Sequence, residues 1–172
     1  FGAPLFDKIH YIGNMEENMF YFYCRLGQWK KAWLAAETFR QCGMTPDLYL
    51  MQERYSTVDE AFTPWQPNAS NNGRYLNLMI HRLILEDGEN ALILFGGISP
   101  SGLLPGKDYT LTGLHTAGGK MDLSCKDGIF TLSGEIPFPA GMQFIFPDHF
   151  RVVSDQLKAL PNNRFELRNS TN

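Results

Sequence analysis

The sequence predicts an α+β chain in which helices come first and an antiparallel β-sandwich follows. Two observations carry this expectation. Apolar residues recur at helical spacing up to about residue 82, and beyond it short apolar stretches alternate with turn chemistry. The changeover divides the 172 residues into a helical segment at 1–82 and a sandwich at 83–172. That length suits one ordinary domain or two small ones.

Residues 14–43 read as a helical hairpin. Asn14 suits an N-cap, and Glu17 stands three residues later in capping-box position. Met15, Met19, Phe22, Tyr23 and Leu26 follow at helical spacing, and Gly27 supplies the stop. The second helix places Trp29, Ala32, Trp33, Ala36 and Phe39 on one face and ends at Gly43. So short a turn between two helices implies antiparallel packing. From Thr45 to Asn72 the periodicity disappears, broken by Pro46, Pro64 and Pro67 and by the polar run at Asn68, Asn71, Asn72 and Gly73. A third helix then runs from Tyr75 to about Arg82, with Leu76, Met79, Ile80 and Leu83 on one face and Asn71 or Asn72 as its cap.

Strands take over after it. Leu83–Leu85 and Ala91–Phe95 flank a Gly-containing loop, and Met121–Cys125 and Ile129–Ser133 flank Lys126-Asp127-Gly128, where Asp-Gly is a strong hairpin signal. Tyr109–Leu114, Met142–Phe146, Phe150–Val153 and Arg164–Leu167 complete the expected strands. Regular short strands of this kind suit a sandwich.

Composition narrows the function classes. Hydrophobic residues make up 44% and charged residues 19%, which supplies a core and argues against disorder. A net charge of −3, with Lys30-Lys31 the only adjacent basic pair, gives no stripe to neutralise phosphates, so no nucleic-acid partner is expected. No apolar run is long enough to cross a bilayer, so no membrane partner is expected either. The chain opens at Phe1 without an initiator Met and without a signal-peptide pattern, which suits an excised segment. Secreted, periplasmic and cytoplasmic locations all stay open. Cys24, Cys42 and Cys125 lack metal or redox spacing; Cys24 and Cys42 lie on neighbouring expected helices and can approach each other, but free buried thiols are the expectation. His10, His81, His115 and His149 are isolated, so no metal site is expected. Gly96-Gly97 and Gly118-Gly119 fit no phosphate-binding fingerprint, so no cofactor is expected, and no serine sits in a nucleophile elbow.

One acid stands out. Glu53 lies in Leu50-Met51-Gln52-Glu53-Arg54-Tyr55, among apolar and aromatic residues. A carboxylate there can activate a water with Gln52 or Arg54 holding it, as an inverting glycosidase base must. On the residues alone, one half of a Glu-Arg pair on a loop rim is the commoner reading. Asp59 and Glu60 read as solvated loop charges. Trp65, between Pro64 and Pro67, can stack on a sugar face or plug its loop onto the helices. Asn68, Asn71, Asn72 and Arg74 can bind hydroxyls, though capping and turns account for the asparagines. The Asn68-Ala69-Ser70 and Asn169-Ser170-Thr171 triplets match the weak glycosylation pattern.

The succession of these pieces resembles the end of the (α/α)6-toroid glycoside hydrolases, the group of glucoamylase-like, α-L-rhamnosidase-like and α-L-fucosidase-like enzymes. Leu50 to Tyr55 after a helical hairpin looks like the segment that supplies the general base, Pro67 to Arg74 looks like the polar loop before the last toroid helix, and Leu83 to Pro100 looks like the hand-over to a C-terminal sandwich. The resemblance implies a partial toroid, a carbohydrate substrate and, for Glu53 alone, the role of base; Gln52, Arg54, Tyr55, Trp65, Asn68 and Arg74 are the candidate sugar contacts around it by their own chemistry. It also implies that the remaining helices and the general acid lie outside this sequence, in the rest of a parent polypeptide or a partner chain. Two other readings compete. One is a non-catalytic carbohydrate-binding or scaffolding module. The other is a small binding protein with a closed apolar cavity between helices and sheet, lined by Phe144, Phe146 and Phe150.

Overall fold

The computed structural model describes residues 10–12, 14–45, 50–51, 54–56, 68–88, 90–99, 108–116, 119–127, 129–134 and 141–168. The chain is α+β and separates into two compact units, Phe1–Leu83 and Ile84–Asn172.

The first unit contains β1 (His10–Ile12), α1 (Asn14–Arg25), α2 (Trp29–Cys42), β2 (Arg54–Ser56) and α3 (Ala69–His81). Gly27 turns the chain between α1 and α2 at φ +66°, a conformation that costs a residue with a Cβ. Phe20 of α1 and Ala32, Ala35, Ala36 and Phe39 of α2 are fully buried. Small residues at three of those positions let the helix backbones approach closely. The third helix differs from expectation. It begins six residues before Tyr75, because the Asn68 side chain caps it by accepting the Asn71 N–H at 2.8 Å. Asn71 and Asn72, expected as caps, lie inside the first turns. Leu78 is its buried apolar residue, whereas Leu76 and Ile80 are exposed.

The second unit holds two sheets. The strands are β3 (Ile84–Glu86), β4 (Ala91–Leu94), β5 (Tyr109–Thr116), β6 (Gly119–Lys126), β7 (Ile129–Gly134), β8 (Gln143–Ile145), β9 (Leu157–Leu160) and β10 (Arg164–Leu167). One sheet has the order β3-β4-β8-β10-β9, and the other is the meander β5-β6-β7. Asp127 takes φ +50° at the Asp127-Gly128 hairpin, as its turn chemistry dictates. In β6 Met121, Leu123 and Cys125 are buried, whereas Asp122 and Lys126 are exposed, the alternation of a half-buried strand. In β4, Leu92, Ile93 and Leu94 are all buried, as befits an interior strand covered on both faces.

Two expectations are corrected here. The five-stranded sheet is mixed, because β4 and β8 pair in parallel. The chain passes through the whole meander before laying down β8, the long crossover that a parallel pair needs. Residues 150–153 form no strand. Phe150 N–H bonds the Pro147 carbonyl at 3.0 Å in a turn, and Val153 is 83% exposed, so no buried face organises the stretch. In its place β9 pairs with β10 across a turn with Asn162 and Asn163 at φ +60° and +52°.

Candidate functional site

Side-chain pairs fix how the helices of the first unit run. Glu17 meets Arg74 and Tyr21 meets His81, so α1 and α3 run parallel. Glu37 meets Arg82 and Phe39 meets Tyr75, so α2 runs antiparallel to α3. The start of α1, the end of α2 and the start of α3 therefore share one pole of this unit.

Loop backbone is anchored at that pole. Gly43 closes α2, and a Cβ there would lie 2.7 Å from the Phe39 carbonyl and 3.0 Å from Met51, so only glycine permits this approach. Met44 and Met51 form an antiparallel bridge, and Thr45 and Leu50 exchange bonds of 2.9 and 3.0 Å. The Met51 side chain is fully buried, and its N–H donates to Asn72 Oδ1 of α3 at 2.7 Å. A few residues on, β2 pairs antiparallel with β1, matching Ile12 to Arg54 and Tyr11 to Tyr55 just before α1 begins.

The expected site residues fall as follows. Gln52, Glu53 and Trp65 lie outside the described residues, as do Asp59 and Glu60. Arg54 and Tyr55 are in β2, where their backbone pairs with β1. Asn68 is the α3 cap. Arg74 Nη1 donates to Glu17 Oε2 at 2.8 Å, so the guanidinium ties α3 to α1.

Sequence reasoning missed most of the polar cluster that joins α1 to α3. Glu16 and Glu17, in the first turn of α1, are buried, where the helix dipole favours acids. Glu17 accepts from Arg74 and, through Oε1, from the Tyr21 hydroxyl at 2.6 Å. The Tyr21 oxygen also meets His81 Nδ1 at 2.7 Å. A phenol has one proton, and Tyr21 gives it to Glu17, so the His81 Nδ1–H is the donor in the second bond. Burial, then the hydrogen bond and charge of Glu17, push the Tyr21 hydroxyl well above its ordinary range, so it remains a neutral donor. Glu17 was legible only as a capping-box acid, because its partner lies 57 residues away. The second ion pair, Glu37 with Arg82 at 2.6 Å and Arg40 at 2.9 Å, fastens α2 to the end of α3. Burial raises the Glu37 carboxyl, but Arg82 and Arg40 outweigh it and hold it below the ordinary value.

Cys24 and Cys125 are buried and Cys42 is exposed, all as free thiols. Burial pushes the Cys24 thiol up to about 12. Among the described residues no group of three His, Cys, Asp or Glu is placed to hold a metal ion, and no helix is long and apolar enough to cross a membrane. In the second unit Phe144, Phe146 and Phe150 do line one cavity, but its walls are sheet residues and their connections, with no helix among them. No family model, curated protein or solved structure matches this chain.

Proposed function

We propose that this chain is the C-terminal part of a carbohydrate-active hydrolase that cleaves glycosidic bonds, with Glu53 as its general base. The observation that carries the reading is the anchoring of the chain on both sides of Gln52-Glu53. Met51 is bonded to the start of α3, and Arg54 is paired to the strand that leads into α1. A general base needs a preorganised scaffold, and anchors on either side of it in sequence support that role for Glu53. The exposed apolar pairs Phe22 and Leu26 on α1 and Leu76 and Ile80 on α3, each spaced four residues apart, add support. They are the kind of faces that neighbouring helices of a toroid cover.

In this reading the three helices belong to a larger toroid, and the two sheets of the second unit form its C-terminal β-sandwich. Glu53 takes a proton from water as the water oxygen attacks the anomeric carbon. An acid elsewhere in the enzyme protonates the departing glycosidic oxygen. Gln52, Arg54, Tyr55 and Trp65 supply sugar contacts, while Asn68 and Arg74 hold the pole that presents them. The test is Glu53→Gln in the complete gene product, assayed on a panel of aryl glycosides. A loss on the order of 10²–10⁴ in kcat is expected, and unchanged turnover removes Glu53 from the chemistry.

A further inference from the structure

The second unit has a half-open cavity of about 780 Å³ between β7 and the β4, β8, β9 and β10 side of the larger sheet. Its volume falls in the range of roughly 300–1,000 Å³ typical of small-molecule sites. Aromatic rings form much of its wall. Phe95 packs on Phe130 at 4.0 Å between ring centres and stacks on Phe150 at 5.2 Å, and Phe146 adjoins Phe95. Phe95 takes φ +60°, a strained backbone for so bulky a residue, and strain of this kind gathers at ligand clamps. Two aliphatic side chains that line the cavity, Ile129 and Val153, are 70% and 83% exposed, so apolar surface continues from the cavity into water.

The charge pattern selects the occupant. No acidic residue is among the described residues that line the cavity, whereas His149 and Arg151 both are. Asp148 and Asp155 flank that stretch in sequence without lining it. Burial holds the His149 imidazole below its ordinary value, against the opposing pull of the Ile98 carbonyl and Asp148. The ring is therefore a neutral hydrogen-bonding group near pH 7, and Arg151 is the cation of the lining. Apolar walls with one guanidinium and no carboxylate suit an apolar body ending in an anion. They disfavour cations, which would find no carboxylate among the described lining residues, and fully hydroxylated molecules, which would lose hydration against phenyl rings.

We propose that this cavity binds an anionic amphiphile, an aryl or alkyl body carrying a carboxylate or sulfonate, with the body among Phe95, Phe130, Phe146 and Phe150 and the anion at Arg151. This site is separate from the glycosidase reading and stands without it.

The test is fluorescence titration of the full chain with 8-anilinonaphthalene-1-sulfonate, beside N-phenyl-1-naphthylamine, which has a similar body without the charge. Saturable binding of one equivalent of the sulfonate is expected. Val153→Asp and Ile129→Asp, two exposed positions that put a negative charge at the cavity edge, should each weaken it by about tenfold or more. Arg151→Gln should weaken the sulfonate by about three- to fivefold, the worth of an exposed ion pair, and leave the neutral probe unchanged. Circular dichroism checks that each variant folds, and either of the two edge variants suffices if the other fails. Binding of many equivalents, or full affinity in the folded edge variants, would overturn the site. Equal effects of Arg151→Gln on both probes would overturn the anionic class.

Discussion

Replacing Glu17 with Gln tests whether the pole of the helical unit is held by its buried carboxylate. The Glu17 side chain is 5% exposed and accepts from Arg74 at 2.8 Å and Tyr21 at 2.6 Å, while the Arg74 side chain is 38% exposed. Removing one partner of a buried pair costs about 3–5 kcal/mol when the other charge is stranded. In Glu17→Gln the stranded partner is Arg74, which can swing towards water, so the cost falls to about 2–3 kcal/mol. Arg74→Gln instead leaves the buried carboxylate with Tyr21 as its remaining partner among the described residues, so it should cost more, about 3–4 kcal/mol. For a unit of about 80 residues, each kcal/mol lowers Tm by about 4–8 °C, so Glu17→Gln should lower it by about 10–20 °C. Thermal unfolding followed by far-UV circular dichroism and by tryptophan fluorescence reads this directly, since Trp29, Trp33 and Trp65 all belong to the first unit. The double variant should cost less than the sum of the two singles. A cost under about 0.5 kcal/mol for both singles would refute the reasoning, because that is the worth of a solvated rim pair. So would a larger loss for Glu17→Gln than for Arg74→Gln.

Glu37 gives a pH-dependent counterpart. Its carboxyl sits below the ordinary 4.5 in the folded chain, so its contribution is fully present above that pH and is lost as pH falls through the lower folded value. The stability gap between the parent and Glu37→Gln should therefore be constant near neutrality and shrink in acid, and a gap that grows on acidification would reverse the assignment. Asn68→Ala should cost about 1 kcal/mol through loss of the α3 cap, with KM for a glycoside unchanged. A raised KM at unchanged stability would make Asn68 a sugar ligand.

How much of this was legible in the sequence varied with the range of the interactions. The helical hairpin was readable from helical spacing and Gly27, and the β6–β7 hairpin from Asp127-Gly128, but the expected apolar face of α1 was not: Phe22 and Leu26 are exposed, whereas Phe20 and Cys24 are buried. Short strands whose partners are distant were not. β1 and β2 are three residues each and exist by pairing His10–Ile12 with Arg54–Ser56, while β9 is defined by β10. Asn163 was equally hidden, although its side-chain amide donates to the carbonyls of Phe146 and Pro147 at 3.0 and 2.9 Å and so fixes the exit from β8. Phe150–Val153 had strand composition, but its neighbours direct it along a cavity and give it no ladder. The parallel union of β4 and β8 depends on where the chain goes in between, which no local pattern encodes. At the candidate site, Asn68 was visible as a residue suited to capping, whereas the burial of Glu17 and its claim on Arg74 are tertiary facts.

Turnover per folded molecule in the complete gene product decides whether Glu53 activates water. Glu53→Gln is expected to lose about 10²–10⁴ in kcat on an aryl glycoside while its unfolding midpoint is unchanged. A Glu53→Gln enzyme that turns over at the parent's rate would contradict it.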